Sequence, residues 1–103
     1  MTNYKIIITQ RAISNLTECV LFVKHISKEA AKKLYEEIIT SINSLKTFPK
    51  SYSCFEGLTI RGHNVRRMPI SNGRYLILYI IEKENVVIYD IIDVRKEPYA
   101  LKV

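Results

Sequence analysis

Apolar positions recur at helical spacing in the first half of the chain and alternate with polar ones in the second. Tyr4–Thr9 (YKIIIT) is a β-branched run and predicts a short strand. Thr9 then stands where a helix N-cap is needed, its hydroxyl able to accept from an orphan backbone N–H. From Gln10 onward Ile13, Leu16, Val20, Val23 and Ile26 form a stripe of period 3.6, the mark of an amphipathic helix. Ser27 is the N-cap expected for a second helix, with Glu29 near its positive end. The stripe of that helix is Ala31, Leu34, Ile38, Ile42 and Leu45, with Lys32, Lys33, Glu36 and Glu37 on the wet side. Phe48-Pro49 closes it, because proline disfavours helical geometry in the residue before it. Two helices with almost no linker predict an antiparallel helical hairpin.

Lys50–Gly57 reads as a loop, followed by a meander. Its strands are predicted around Leu58–Arg61, over Val65–Ile70, over Arg74–Ile81 and, after a polar turn at Glu82–Asn85, over Val86–Val94. Asn72-Gly73 between two apolar runs is a strong hairpin signal, since both residues tolerate positive φ. A two-residue loop there pairs Ile70 with Tyr75, Met68 with Ile77 and Arg67 with Leu78. With an even second turn, one face carries Met68, Ile70, Tyr75, Ile77, Tyr79, Ile81, Ile88, Ile92 and Val94, with Arg66 and Asp90. The other carries Arg67, Pro69, Arg74, Leu76, Leu78, Ile80, Tyr89, Ile91, Asp93 and Arg95. The first face is assigned to the helices. The second is expected to leave an open aliphatic strip (Leu76, Leu78, Ile80) rimmed by Arg67, Arg74 and Arg95, and such a strip on a small protein marks a partner site. The fold class expected is α+β: an N-terminal strand and a helical hairpin packed on one face of a twisted antiparallel meander.

The chain has 103 residues, enough for one domain with a single two-layer core. No apolar run approaches the roughly 20 residues that span a bilayer, and no signal-peptide pattern opens the sequence. Cys19 and Cys54 lack any paired metal-ligand spacing and read as reduced thiols of a cytoplasmic protein. The net charge of +6 divides evenly between the halves, but its distribution does not. From Gly57 to Ile81 the ionisable side chains are Arg61, His63, Arg66, Arg67, Arg74 and two tyrosines, with no Asp or Glu. Segregated positive charge attracts phosphate or a carboxylate-rich partner. There is no Gly-rich phosphate loop, no nucleophile elbow and no His/Cys/carboxylate cluster, so neither cofactor nor metal is expected.

The order of these pieces resembles the RelE/ParE superfamily of bacterial toxins from type II toxin–antitoxin modules. The pieces are YKIIITQRAISNL, SINSLKTFP, VRRMPI, RYLILYII and VVIYDIIDVRKEP, and they cover nearly the whole chain. The resemblance implies a small α+β toxin held inactive by an acidic antitoxin in a hetero-oligomer. ParE-like members bind and inhibit DNA gyrase; RelE-like members cut messenger RNA on the ribosome. Laid against the RelE pattern, Arg67 and Arg95 (or Lys96) match basic positions, and Tyr99 lies near a catalytic tyrosine, at shorter spacing. The arginine inside the RelE tyrosine strand is Leu76 here. The VRRMPI phrase and the helical hairpin look more like ParE. A ParE-like gyrase-binding toxin is therefore the first reading. An RNA endonuclease using Arg67, Arg95, Tyr99 and His63, and a non-toxic antitoxin-binding remnant, are the alternatives. Arg74, Leu76, Leu78, Ile80, Tyr89 and Lys96 are the residues expected to meet antitoxin or target.

Plainer roles stand beside these. Arg67 and Arg95 have Asp90 and Asp93 as prospective ion-pair partners. Arg66 falls on the core face and reads as snorkelling past the helices. His63 reads as a solvated loop residue, and Tyr75, Tyr79 and Tyr89 as sheet-packing residues with wet hydroxyls.

Overall fold

The computed structural model describes residues 3–95. Along the chain lie β1 (Lys5–Ile8), α1 (Gln10–Lys24), α2 (Lys28–Ser44), a short 3₁₀ turn (Pro49–Ser51), β2 (Cys54–Ile60), β3 (His63–Ile70), β4 (Tyr75–Glu82) and β5 (Asn85–Asp93). They form one five-stranded sheet in the order β1-β5-β4-β3-β2. The meander is antiparallel, and β1 joins its far edge parallel to β5, so the sheet is mixed. Both helices pack on one side, the expected α+β arrangement.

Each helix starts where a capping hydroxyl allows. Thr9 Oγ1 accepts from Ala12 N–H at 3.1 Å and donates to the Tyr89 carbonyl at 2.9 Å, which fastens the start of α1 to β5. Ser27 Oγ accepts from Ala30 N–H at 3.1 Å. In α2 the predicted stripe is the buried one, from Ala31 through Leu34, Ile38 and Ile42 to Leu45. In α1 the stripe is displaced. Ala12, Leu16, Cys19 and Val23 face the core, while Ile13 and Ile26 are 43% and 75% exposed. The two phasings share Leu16 and Val23. The small Ala12 side chain lets the helix backbone settle close to β5, which decides between them.

The Asn72-Gly73 hairpin forms as expected, with φ of 57° and 86° at its two central residues. Ile70 faces Tyr75, Met68 faces Ile77 and Arg67 faces Leu78. The next turn, Lys83-Glu84, also has an even length, with Glu82 opposite Asn85. Parity is then broken inside β5. Tyr79 faces Ile88 but Leu78 faces Asp90, so Tyr89 is an extra residue, a β-bulge. From Ile91 onward the side chains change sides. Ile91 therefore lies in the core under the helices, and Ile92 and Val94 lie behind the sheet, opposite to the sequence expectation. Asp93 sits across from Tyr75, on the helical side rather than the far one.

The far side is not an open strip. Leu76, Leu78 and Ile80 are 7%, 5% and 1% exposed, and with Phe55, Val65, Val87 and Ile92 they make a second, smaller core. The strand β2 supplies much of that cover. It begins at Cys54, inside the stretch expected to be a loop, and breaks register between Cys54 and Thr59. Gly57, at φ 82°, takes up the irregularity. Phe55, Leu58 and Ile60 are thereby brought against the aliphatic centre.

Candidate functional site

Arg67 is exposed at the middle of β3, on the side of the second core. Its backbone N–H donates to the Ser53 carbonyl at 3.1 Å, so the rim of β2 holds it in place. The guanidinium lies over the Phe55 ring, 5.3 Å from the centroid, a cation–π contact that orients the charge without neutralising it. No carboxylate among the described residues pairs with it. Beside it is a shallow depression of about 450 Å³ lined by Ser51, Tyr52, Ser53, Arg67, Pro69, Gly73 and Leu76. Of the predicted residues, Arg67 and Leu76 are brought together here.

Arg74 is on the other side. Freed from strand alternation by the positive-φ turn before it, its side chain swings toward the helices. It lies over the Tyr75 ring at 5.4 Å and lines a depression of about 230 Å³ with Val23, Ala30, Leu34 and Ser71. Arg67 and Arg74 thus do not share a rim, contrary to the sequence expectation. Burial pushes the Tyr75 phenol up, and the neighbouring Arg74 charge pulls it the other way.

Arg95 is spoken for locally. Its Nε lies 3.5 Å from Asp93 Oδ1, and its backbone N–H donates to the same oxygen at 3.0 Å. His63 is likewise held: its Nε2 is 3.5 Å from Glu82, whose carboxylate also accepts two hydrogen bonds from Arg61. The Arg61 bonds hold the Glu82 carboxyl below the usual carboxylate range. His63 and Arg95 therefore stand at opposite ends of the sheet. One contacts Glu82 and the other Asp93, which faces Tyr75, and Tyr75 and Glu82 are the two ends of β4, roughly 23 Å apart at 3.3 Å per residue. General acid–base chemistry on one phosphate requires its groups within hydrogen-bond reach of the same atoms. Arg67, Arg95 and His63 do not meet that condition. Tyr99 and Lys96 lie outside the described residues.

Other polar residues serve the fold. Arg66 Nη1 donates to the Tyr52 and Lys50 carbonyls, at 2.7 and 3.4 Å, and so ties down the loop before β2. The Tyr79 hydroxyl is not wet as expected: it is buried and donates to the Pro49 carbonyl at 2.7 Å. Tyr89 lies under the Arg11 guanidinium at 5.4 Å. Asp90 accepts from Arg11 Nε, Asn15 Nδ2 and the Ile91 N–H. The sequence signal for that cluster was present, since Arg11 and Asn15 are four apart on a helix and Asp90 interrupts an apolar strand. The Arg61–Glu82 pair and the Phe55 ring under Arg67 carried no comparable signal. Among the described residues no group of His, Cys, Asp and Glu is placed to hold a metal ion. No described helix is long and apolar enough to cross a membrane.

The fold is thus a helical hairpin on a meander closed by a parallel N-terminal strand. The family model described as the ParE toxin of the type II toxin–antitoxin system, parDE, matches residues 6–98, and the chain belongs to that family. A solved structure, the chromosomal ParDE toxin–antitoxin system from P. aeruginosa, is similar in fold. Its TM-score is 0.68 at 16% sequence identity, over 87% of this chain and 95% of that one. No curated protein matches the chain in sequence.

Proposed function

We propose that this ParE-family toxin arrests growth in the bacterial cytoplasm by binding DNA gyrase, and that an acidic antitoxin neutralises it. The observation that carries this reading is the scatter of the proton-transfer and phosphate-holding candidates. His63 is held by Glu82 at one end of the sheet, and Arg95 by Asp93 at the other. Among the described residues, Arg67 stands between them with no acid or base to share a reacting phosphate. A binding toxin needs no such convergence. It needs an exposed, oriented charge beside a shaped surface, and Arg67 with the adjoining Pro69 and Tyr52 supplies one. With Leu76, Leu78 and Ile80 buried in a core, contact falls to this rim rather than to the aliphatic centre. A sequence pI near 9.4 favours an acidic antitoxin.

Induced expression in a bacterial host tests the proposal. A DNA-damage response with intact messages is the expected result. Rapid message cleavage in place of that response would point to an endonuclease, and undisturbed growth to a non-toxic remnant; either overturns the reading.

A further inference from the structure

Among the described residues Arg74 is a cation without an anion, and its Nε is buried with no hydrogen-bond partner. No carboxylate among the described residues lies within ion-pair distance of it. A desolvated guanidinium N–H lacking an acceptor is costly in a folded protein and calls for one from outside. On the adjoining helix Glu37 is committed elsewhere: it accepts from the Ser71 N–H and the Ser71 hydroxyl, both at 3.0 Å. The other walls of the depression are Val23, Ala30, Leu34 and Tyr75, which offer apolar surface and no second cation.

We propose that the Arg74 depression is a socket for one carboxylate side chain, presented between apolar neighbours on the antitoxin segment that covers this side of the toxin. The identity of the partner rests on the toxin–antitoxin reading above; the chemistry of the socket does not. A phosphate group would need several converging donors. Here there is one guanidinium in an apolar frame, and the Ser71 N–H is taken by Glu37. One Glu or Asp flanked by leucine-like residues matches both the charge and the walls. The socket lies between the helical hairpin and the β3–β4 turn, on the opposite side of the sheet from Arg67. Antitoxin and target contacts are thereby assigned to separate surfaces.

The test is an NMR titration of the full chain, followed at the Arg74 Nε–Hε cross-peak. Three probes are used: a blocked peptide with one glutamate flanked by leucines, the same peptide with glutamine in its place, and inorganic phosphate. The glutamate peptide is expected to move the cross-peak and to bind on the order of tenfold more tightly than the glutamine peptide. Arg74→Gln, read by backbone shifts, should abolish that difference. Equal binding of the two peptides, no binding of either, or a response to phosphate alone overturns the proposal. None of these readouts involves growth or gyrase. A socket that binds glutamate in a chain that leaves gyrase untouched would therefore spare this inference and sink only the functional reading.

Discussion

Arg11 and Asp90 join the first turn of α1 to the last strand. Across 79 residues of sequence, Arg11 Nε donates to Asp90 Oδ2 at 2.9 Å. The two partners are unequal, with side chains 56% and 6% exposed. Asp90 also satisfies Asn15 and the Ile91 N–H, just past the bulge that sets the sides of Ile91 and Ile92. Replacing Asp90 by Ala strands three donors, and a loss of about 2–4 kcal/mol is expected. Replacing Arg11 by Ala removes a largely solvated partner and should cost about 1 kcal/mol or less. Urea unfolding of both variants checks the asymmetry; equal losses would contradict it.

The second core makes a separate prediction. Leu78→Ala should lower stability by about 2–4 kcal/mol, as a buried leucine does. An open strip would give a change within about 0.5 kcal/mol. The same urea measurement distinguishes the two.

Tyr79 ties pH to stability. Burial pushes its phenol well above the usual range, and Tyr75 is shifted the same way by its own burial. A group whose folded pKa is raised stabilises the fold fully below its unfolded value, near 10 for tyrosine, and loses that contribution as pH climbs through the folded value. Stability should therefore decline above about pH 10. Tyr79→Phe should flatten most of that decline and cost about 1–2 kcal/mol at neutral pH, because the Pro49 carbonyl loses its donor. Chemical denaturation across an alkaline pH series gives both numbers.

At the Glu82 end of β4, Arg61→Gln should raise the midpoint of the Glu82 titration toward the ordinary carboxylate value of about 4.3. The sign is fixed by the depressed folded pKa: whatever the Arg61–Glu82 pair contributes is present above the unfolded carboxylate value and disappears as pH falls through the folded one. Side-chain carboxyl NMR reads the shift. An unmoved midpoint would mean that the pair does not persist in solution.

Much of this was legible in the residues, for identifiable reasons. Asn72-Gly73 left one register for β3 and β4, and α2 had a single apolar stripe to bury. The bulge at Tyr89 was hidden because it carries no glycine and follows a turn of the expected even length. The buried state of Leu76 and Leu78 was missed together with the true start of β2, since SCFEG does not alternate cleanly and Phe55 stood alone in an apparent loop. At the candidate site, the positions of the arginines along the strands were readable. Which were neutralised was not: the separation of free Arg67 from paired Arg95 depends on Asp93, whose side was decided by the bulge.

The proposed action of this ParE-family chain is to bind gyrase through the Arg67 surface. Gyrase-driven supercoiling of relaxed plasmid, with the purified chain titrated in, measures it most directly. The expected result is inhibition by the wild-type chain, weakened about tenfold by Arg67→Ala with the fold retained. Full supercoiling at every concentration, from a preparation that cuts ribosome-bound message, would contradict it.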